Sequence, residues 1–213
     1  MRVLCLFLSW VERVFIAFSV AIHYDCIMKN ENPSEQFPRI LAKNETVKSR
    51  IFTVETMALQ FANGVEVEYE RLISSKNGAV LLVPVLEDKM VLIREYAAGV
   101  ERYELGFPKG KIDAGEGWEQ AAIRESQEEI GYFPQKVELL DSLTLAAGYM
   151  THHTHIVLAE ELTPQTAEGD EPEPLEVVYW PLEEWQGLLS HPEFSEGRAY
   201  AALMLLLNYK GII

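Results

Sequence analysis

Two apolar runs in the middle of the chain constrain its fold more than any other feature. Residues 79–86 (AVLLVPVL) form one continuous run and residues 90–96 (MVLIREY) a second, joined by Glu87, Asp88 and Lys89. A strand turns successive side chains to opposite faces, so a run without alternation has to be covered on both sides. Both segments therefore read as buried sheet strands. At 213 residues the chain suffices for one sizeable domain, or one with a small appendage, and a separate second core is not expected.

The flanks mix strand and helix signals along that single domain. Upstream, ILAKNETV, RIFTVETMALQF and VEVEYERLI alternate like strands, and Asn63-Gly64 between the last two is a strong hairpin signal. Downstream, Trp118, Ala121, Ala122, Ile123 and Ile130 recur at helical spacing, which predicts a helix starting just beyond Gly115, Glu116 and Gly117 and ending at Gly131. Strands are expected over 137–145 and 155–160. They are followed by the acidic loop AEGDEPEP, the strand EVVYWPL and a closing helix from about 192 to 209, with Ala199, Ala202, Leu203, Leu206 and Leu207 as its apolar stripe.

Residues 1–27 hold apolar runs over 3–10 and 14–22, each short of the roughly 18 residues a spanning helix needs, and no A-x-A cleavage site follows them. Three readings stand: a poor membrane anchor, a degenerate signal, or translated upstream sequence before a true start at Met28. We take the third, because Met28 opens a polar leader (KNENPSEQFPR) of the kind that precedes cytosolic domains. The expected organisation is an extension over 1–27 outside the native protein, strands and a hairpin over 28–75, and the main domain over 76–213. No membrane association of the mature form is expected.

Charge excludes one class of partner. A net charge of −15 and a pI near 4.7 argue against nucleic acid, whose backbone calls for an excess of Lys and Arg. A small anionic substrate stays compatible if metal ions stand between protein and phosphate. Cys5 and Cys26 are the only cysteines, so the body of the chain contains no disulfide, which suits a reducing cytoplasm.

The chemistry concentrates in GKIDAGEGWEQAAIRESQEEIGY. Glu125, Glu128 and Glu129 stand at i, i+3 and i+4, one face of a helix. Like charges so close repel, and a hard divalent cation such as Mg2+ would remove that cost while taking substrate phosphate oxygens as further ligands. Three glutamates alone would more often be a solvated face. The order around them decides otherwise: Gly110, Glu116, Arg124, Glu125, Glu128, Glu129 and Gly131 match G-x5-E-x7-R-E-U-x-E-E-x-G-U, and seven such identities arise by chance about once in 10^8 starts at ordinary residue frequencies.

This pattern resembles the Nudix box. The resemblance implies an α/β fold, the Nudix α/β/α sandwich with a mixed sheet plus an N-terminal antiparallel hairpin, and metal-dependent hydrolysis of a nucleoside diphosphate linked to another moiety, with Mg2+ or Mn2+ as cofactor. By position Glu125 and Glu129 look like the main metal ligands, Glu128 supports them, and the carbonyl of Lys109 resembles a further ligand. Gly110, Glu116, Arg124 and Gly131 look structural, the planar guanidinium of Arg124 being suited to hold carboxylates in a fork. Ser126 departs from the pattern, standing where the family has an aliphatic residue. Its hydroxyl is expected to bond back to the carbonyl of Ala122, with a local packing loss.

The resemblance extends over roughly residues 38–209 through SRIFTVE, FANGVEVEYERL, VLIREYAAGVERYELGFPKG, EGDEPEPLEVVYWPL and GRAYAALML. It is similar to the ADP-ribose pyrophosphatase group, and within it to the ADP-compounds hydrolases. It implies ADP-ribose, NADH and diadenosine polyphosphates as substrates, cleaved to AMP and a second phosphate by a homodimer whose N-terminal hairpins help form the site. By position Glu70, Arg71, Arg94 and Glu104 look like substrate contacts, against the plainer reading of strand-edge ion pairs. The catalytic base would be Glu171 on the acidic loop, with Glu173 second, against a merely solvated loop. His152, His153 and His155 suggest zinc, but without a cysteine in the body or an obvious fourth ligand they are expected to line the pocket or face solvent. Rival readings are a Nudix-fold nucleotide-binding sensor without turnover, a MutT-like nucleoside triphosphate pyrophosphohydrolase, and a membrane-tethered protein defined by residues 1–27.

Overall fold

The computed structural model describes residues 37–74, 77–169 and 171–213. The expected extension over 1–27, most of the leader after Met28 and both cysteines lie outside them. Three strands come first, β1 (Arg39–Lys48), β2 (Thr53–Gln60) and β3 (Glu66–Ile73), forming an antiparallel sheet of that order. Contacts divide the chain into two units. Among the described residues, the smaller holds 37–41 with 58–67 and is built around the Asn63-Gly64 turn. There Gly64 adopts φ 83, a left-handed value that costs glycine little, and the Asn63 side chain accepts from the Val65 amide at 3.1 Å.

The larger unit, Ala42–Met57 with Glu68–Ile213, contains the buried sheet. Its strands are β4 (Ala79–Leu86), β5 (Lys89–Ala97), β6 (Arg102–Gly106), β7 (Lys109–Lys111), β8 (Tyr132–Thr144), β9 (His153–Pro164) and β10 (Glu176–Pro181). Their order is β10-β5-β4-β9-β8, with β6 on β5 and β7 on β4. The β4–β9 pair is parallel and the other pairs are antiparallel, so the sheet is mixed. The two apolar runs are its centre and turn back on each other through Glu87, which takes φ 57.

Both faces of these strands are buried, for the reason the sequence gives. Leu81, Val83, Met90, Leu92, Ile156 and Leu158 point to one side, where they meet Leu188 of helix α2 (Trp185–Leu189) and Ala199, Ala202 and Leu203 of α3 (Gly197–Tyr209). Val80, Leu82, Val91, Ile93, Val157 and Ala159 point to the other, against Ala121 and Ala122 of α1 (Trp118–Glu125) and Ile130. This is the expected α/β/α sandwich. The closing helix starts at Gly197 and not near residue 192, because 191–196 is a turn that sends Phe194 into the core. No helix of the described residues is long and apolar enough to cross a membrane.

The start of α1 is set by Gly117, whose amide donates to the Gln120 side chain at 2.7 Å. The helix expected to run unbroken to Gly131 changes its winding after Glu125: Ser126–Ile130 is a π-turn, closed when the Gly131 amide donates to the Ser126 carbonyl. Gly131 itself sits at φ 75 and ends the segment as a left-handed glycine does.

The altered winding corrects the expectation for Ser126. The side chain is fully buried, and its hydroxyl donates to the carbonyl of Tyr132 at 2.8 Å and not to that of Ala122. The left-handed Gly131 folds the start of β8 back over the turn and brings that acceptor within reach. Ser126→Ala is expected to destabilise the protein by about 1 kcal/mol, the net worth of such a bond, and to lower Tm by about 2–4 °C as read by thermal circular dichroism.

Candidate active site

Arg124 organises the carboxylates. Its Nε and Nη2 grip Glu116 at 3.0 Å each, Nη1 donates to Glu125 at 2.6 Å and Glu128 at 3.0 Å, and Nη2 also donates to the carbonyl of Lys111 at 3.0 Å. Glu116 in turn accepts from the Asp113 amide at 3.0 Å. Bidentate ion pairing of this kind fixes direction as well as charge. The Arg124 guanidinium and this amide hold the Glu116 carboxyl below the usual carboxylate range.

Glu129 is treated differently. It is only 8% exposed, accepts from the Lys109 amide at 2.8 Å, and burial pushes its pKa up to about 8. Glu125 is equally buried, and its carboxylate rests on the bare Cα of Gly110, where a Cβ would fall inside it. That close approach is why glycine stands at the head of the box.

Across from the helix lies the acidic loop. Glu125, Glu128, Glu129, Glu171 and Glu173 line one cleft of about 270 Å³ with Gly169 and Leu175. The loop is fastened at both ends. The Gln165 amide donates to the Gly131 carbonyl at 2.9 Å and that of Ala167 to the Gln127 carbonyl at 3.0 Å, both on the π-turn side. At the far end the Tyr103 hydroxyl donates to Glu173 at 2.8 Å, which raises the tyrosine pKa.

The remaining expected positions are placed elsewhere. Arg94 forks onto Glu193 at 2.8 and 2.9 Å, approaches Glu176 at 3.6 Å and lies over the Tyr103 ring at 4.6 Å. Glu104 accepts from Arg102 at 2.5 Å and Ser195 at 2.8 Å, and lines a second cleft of about 580 Å³ that also includes Lys109 and Arg198. Arg71 pairs with Glu55 at 2.6 Å, and Glu70 is exposed on β3. The Lys109 ammonium pairs with Glu95. His152 borders a third cleft, and the rings of His153 and His155 meet edge to face at 5.2 Å.

Tyr103 and Glu193 were not singled out by sequence reasoning. Both act through partners 70 and 99 residues away, and no local pattern announces such pairs. The strand that carries Tyr103 is only five residues long.

Among the described residues, no three carboxylate, imidazole or thiol side chains converge as a closed metal cage. Mg2+ does not require one, since it is held by one or two carboxylates together with waters and substrate phosphates. A buried carboxyl disfavoured in its charged form at Glu129, and a second carboxylate seated on Gly110, are a donor set that fits a hard divalent cation.

The chain is similar to known proteins over most of its length. A NUDIX domain model matches residues 76–202, and a model of the NudE-type Nudix hydrolase N-terminal domain matches residues 38–71. The ADP compounds hydrolase NudE of Escherichia coli (strain K12) is 46% identical over 176 residues, 83% of this chain and 95% of that one. The ADP-ribose pyrophosphatase of Bacillus subtilis (strain 168) is 28% identical over 174 residues, 80% and 93% of the two chains. A solved structure described as the crystal structure of ADP compounds hydrolase matches with a TM-score of 0.79 at 45% identity, covering 84% of this chain and 99% of that one. Box, sheet and N-terminal strands are thus matched together, and the chain belongs to the Nudix hydrolase family, with the N-terminal domain of its NudE type.

Proposed function

We propose that the protein hydrolyses the diphosphate linkage of ADP-linked compounds, with ADP-ribose, NADH and diadenosine polyphosphates as substrates and AMP as a product, using Mg2+ or Mn2+. The observation that carries this reading is the facing of Glu125, Glu128 and Glu129 by Glu171 across one small cleft, in a chain similar over most of its length to an ADP compounds hydrolase. A sensor without turnover would not need all three box glutamates together with a loop carboxylate.

In this reading Glu125 and Glu129 are the main metal ligands, Glu128 assists beside them, and the Lys109 carbonyl completes the set. When bound, the divalent ion neutralises charge on the diphosphate and makes a water more acidic. Arg124 keeps Glu125 and Glu128 aimed into the cleft. Glu171 takes the proton of the attacking water, with Glu173 as the second candidate. Arg71, Arg94 and Glu104 contact substrate by exchanging their present ion pairs, and Glu70 joins them. We further propose a cytoplasmic homodimer in which the N-terminal strands complete the site.

The test is turnover of ADP-ribose, NADH, diadenosine triphosphate and dATP by protein starting at Met28, with Mg2+ or Mn2+. AMP from the first three is expected. Preference for dATP would assign the chain to MutT-like chemistry, and no cleavage of any would favour the sensor. Gly110→Ala, which pushes the Glu125 carboxylate off its seat, is expected to lower kcat about 10^2-fold, the scale of an ångström-sized misplacement. Steady-state rates beside a melting curve check it.

A further inference from the structure

We propose that a basic cleft in the larger unit, walled by the β1–β2 turn and β7, binds a phosphomonoester dianion: the half of the substrate that does not leave as AMP. The cleft measures about 570 Å³. Its charged lining residues are Lys48, Arg50, Lys109, Lys111 and Arg198, with His152 beside them and not one carboxylate. The chain has 18 Lys and Arg against 33 Asp and Glu, so five cations drawn at random without an acid would occur about once in 270 trials, and a concavity of one sign focuses counter-ions.

Part of this charge is uncompensated. Lys109 pairs with Glu95 and Arg198 with Glu196. Among the described residues Lys48, Arg50 and Lys111 have no carboxylate partner. Cations gathered in a hollow of an acidic protein repel one another, and a dianion held between them removes that repulsion. A guanidinium and two ammonium groups suit phosphate oxygens as donors.

Position gives the ligand its identity. Gly110 lines the cleft, and the Glu125 carboxylate rests against the same glycine. A diphosphate cleaved at the carboxylates has two halves, and one of them can reach the cations without leaving the protein surface. Ile51, Phe52 and Ile73 add an apolar wall for the sugar or ring attached to the phosphate. Which half occupies the cleft rests on the hydrolase reading; anion binding there does not.

The experiment titrates the full chain, free of metal and at low salt, with inorganic phosphate and with ribose 5-phosphate, using calorimetry. Wild type is compared with Lys48→Glu/Arg50→Glu and with the milder Lys48→Gln/Arg50→Gln, both at exposed positions. Ribose 5-phosphate is expected to bind more tightly than phosphate, with affinity falling as salt rises. The charge reversal is expected to raise Kd at least tenfold, the neutral variant less, and KM for ADP-ribose is expected to rise in parallel. Equal affinity in all three proteins, or no binding by wild type, overturns the proposal. The two readings separate: hydrolysis with KM and phosphate affinity unmoved by the variants removes the cleft alone, whereas variant-sensitive binding in a protein that cleaves nothing removes the hydrolase reading alone.

Discussion

Glu129→Gln is expected to lower kcat on ADP-ribose by about 10^3-fold or more, since a bound metal contributes several kcal/mol of transition-state stabilisation and each 1.36 kcal/mol is a factor of ten. The fold should survive. Glutamine keeps an oxygen for the Lys109 amide that Glu129 now accepts at 2.8 Å, and it resembles the protonated carboxyl that burial favours. Two readings of stability distinguish loss of a ligand from loss of structure. Mg2+ should raise the Tm of wild type by mass action and leave that of the variant where it is. Without metal, burial raises the Glu129 pKa from 4.5 to about 8, so the folded protein holds a proton that the unfolded chain gives up. That stabilisation is complete below about pH 4.5 and is lost as pH rises through 8. Glu129→Gln should remove this slope. A variant that keeps full turnover, or keeps the Mg2+ shift in Tm, would exclude Glu129 as a ligand.

Glu171→Gln is expected to cut turnover by about 10^2- to 10^4-fold, the span of a lost general base, through a different step. The Mg2+ shift in Tm should persist, because Glu125 and Glu129 are untouched. The Gln165 and Ala167 amides at one end and the Tyr103–Glu173 bond at the other remain to fasten the loop. Comparing the two variants therefore separates metal binding from proton removal. An undiminished rate would reassign the base, and Glu173→Gln would then show the fall. Tyr103→Phe offers a control, loosening the loop while leaving both carboxylates in place.

Much of this was legible before the structure because it is written in local periods. Residues 79–96 announce covered strands through unbroken apolarity, the Asn63-Gly64 turn announces its hairpin, and Ala121, Ala122 and Ile130 show which side of the carboxylate helix faces the sheet. What was not legible depends on distance or on brevity. β7 has three residues, too few to establish a period of two, yet its amide at Lys109 holds Glu129 and its Gly110 seats Glu125. The fork of Arg94 on Glu193 spans 99 positions. The basic cleft gathers side chains from the β1–β2 turn, β7 and α3, so no window of sequence displays it.

The π-turn at Ser126–Ile130 also bears on how the chain can vary. A turn wound with five residues accommodates one more than the helix it continues. Straight after it comes β8, whose side chains alternate between the two faces of the sheet and are held against β9 from Tyr132 to Thr144. Deleting one residue from the turn would leave a choice between two losses. Either β8 slips by one position and turns its inward residues outward, or the helix rotates and carries Glu128 and Glu129 away from the loop that hangs from the same turn by the Ala167 amide. The interval from Glu125 to Gly131 therefore acts as a gauge length set by the sheet on one side and the cleft on the other. The fold can absorb a substitution there, as expected of Glu129→Gln, but not a change of length.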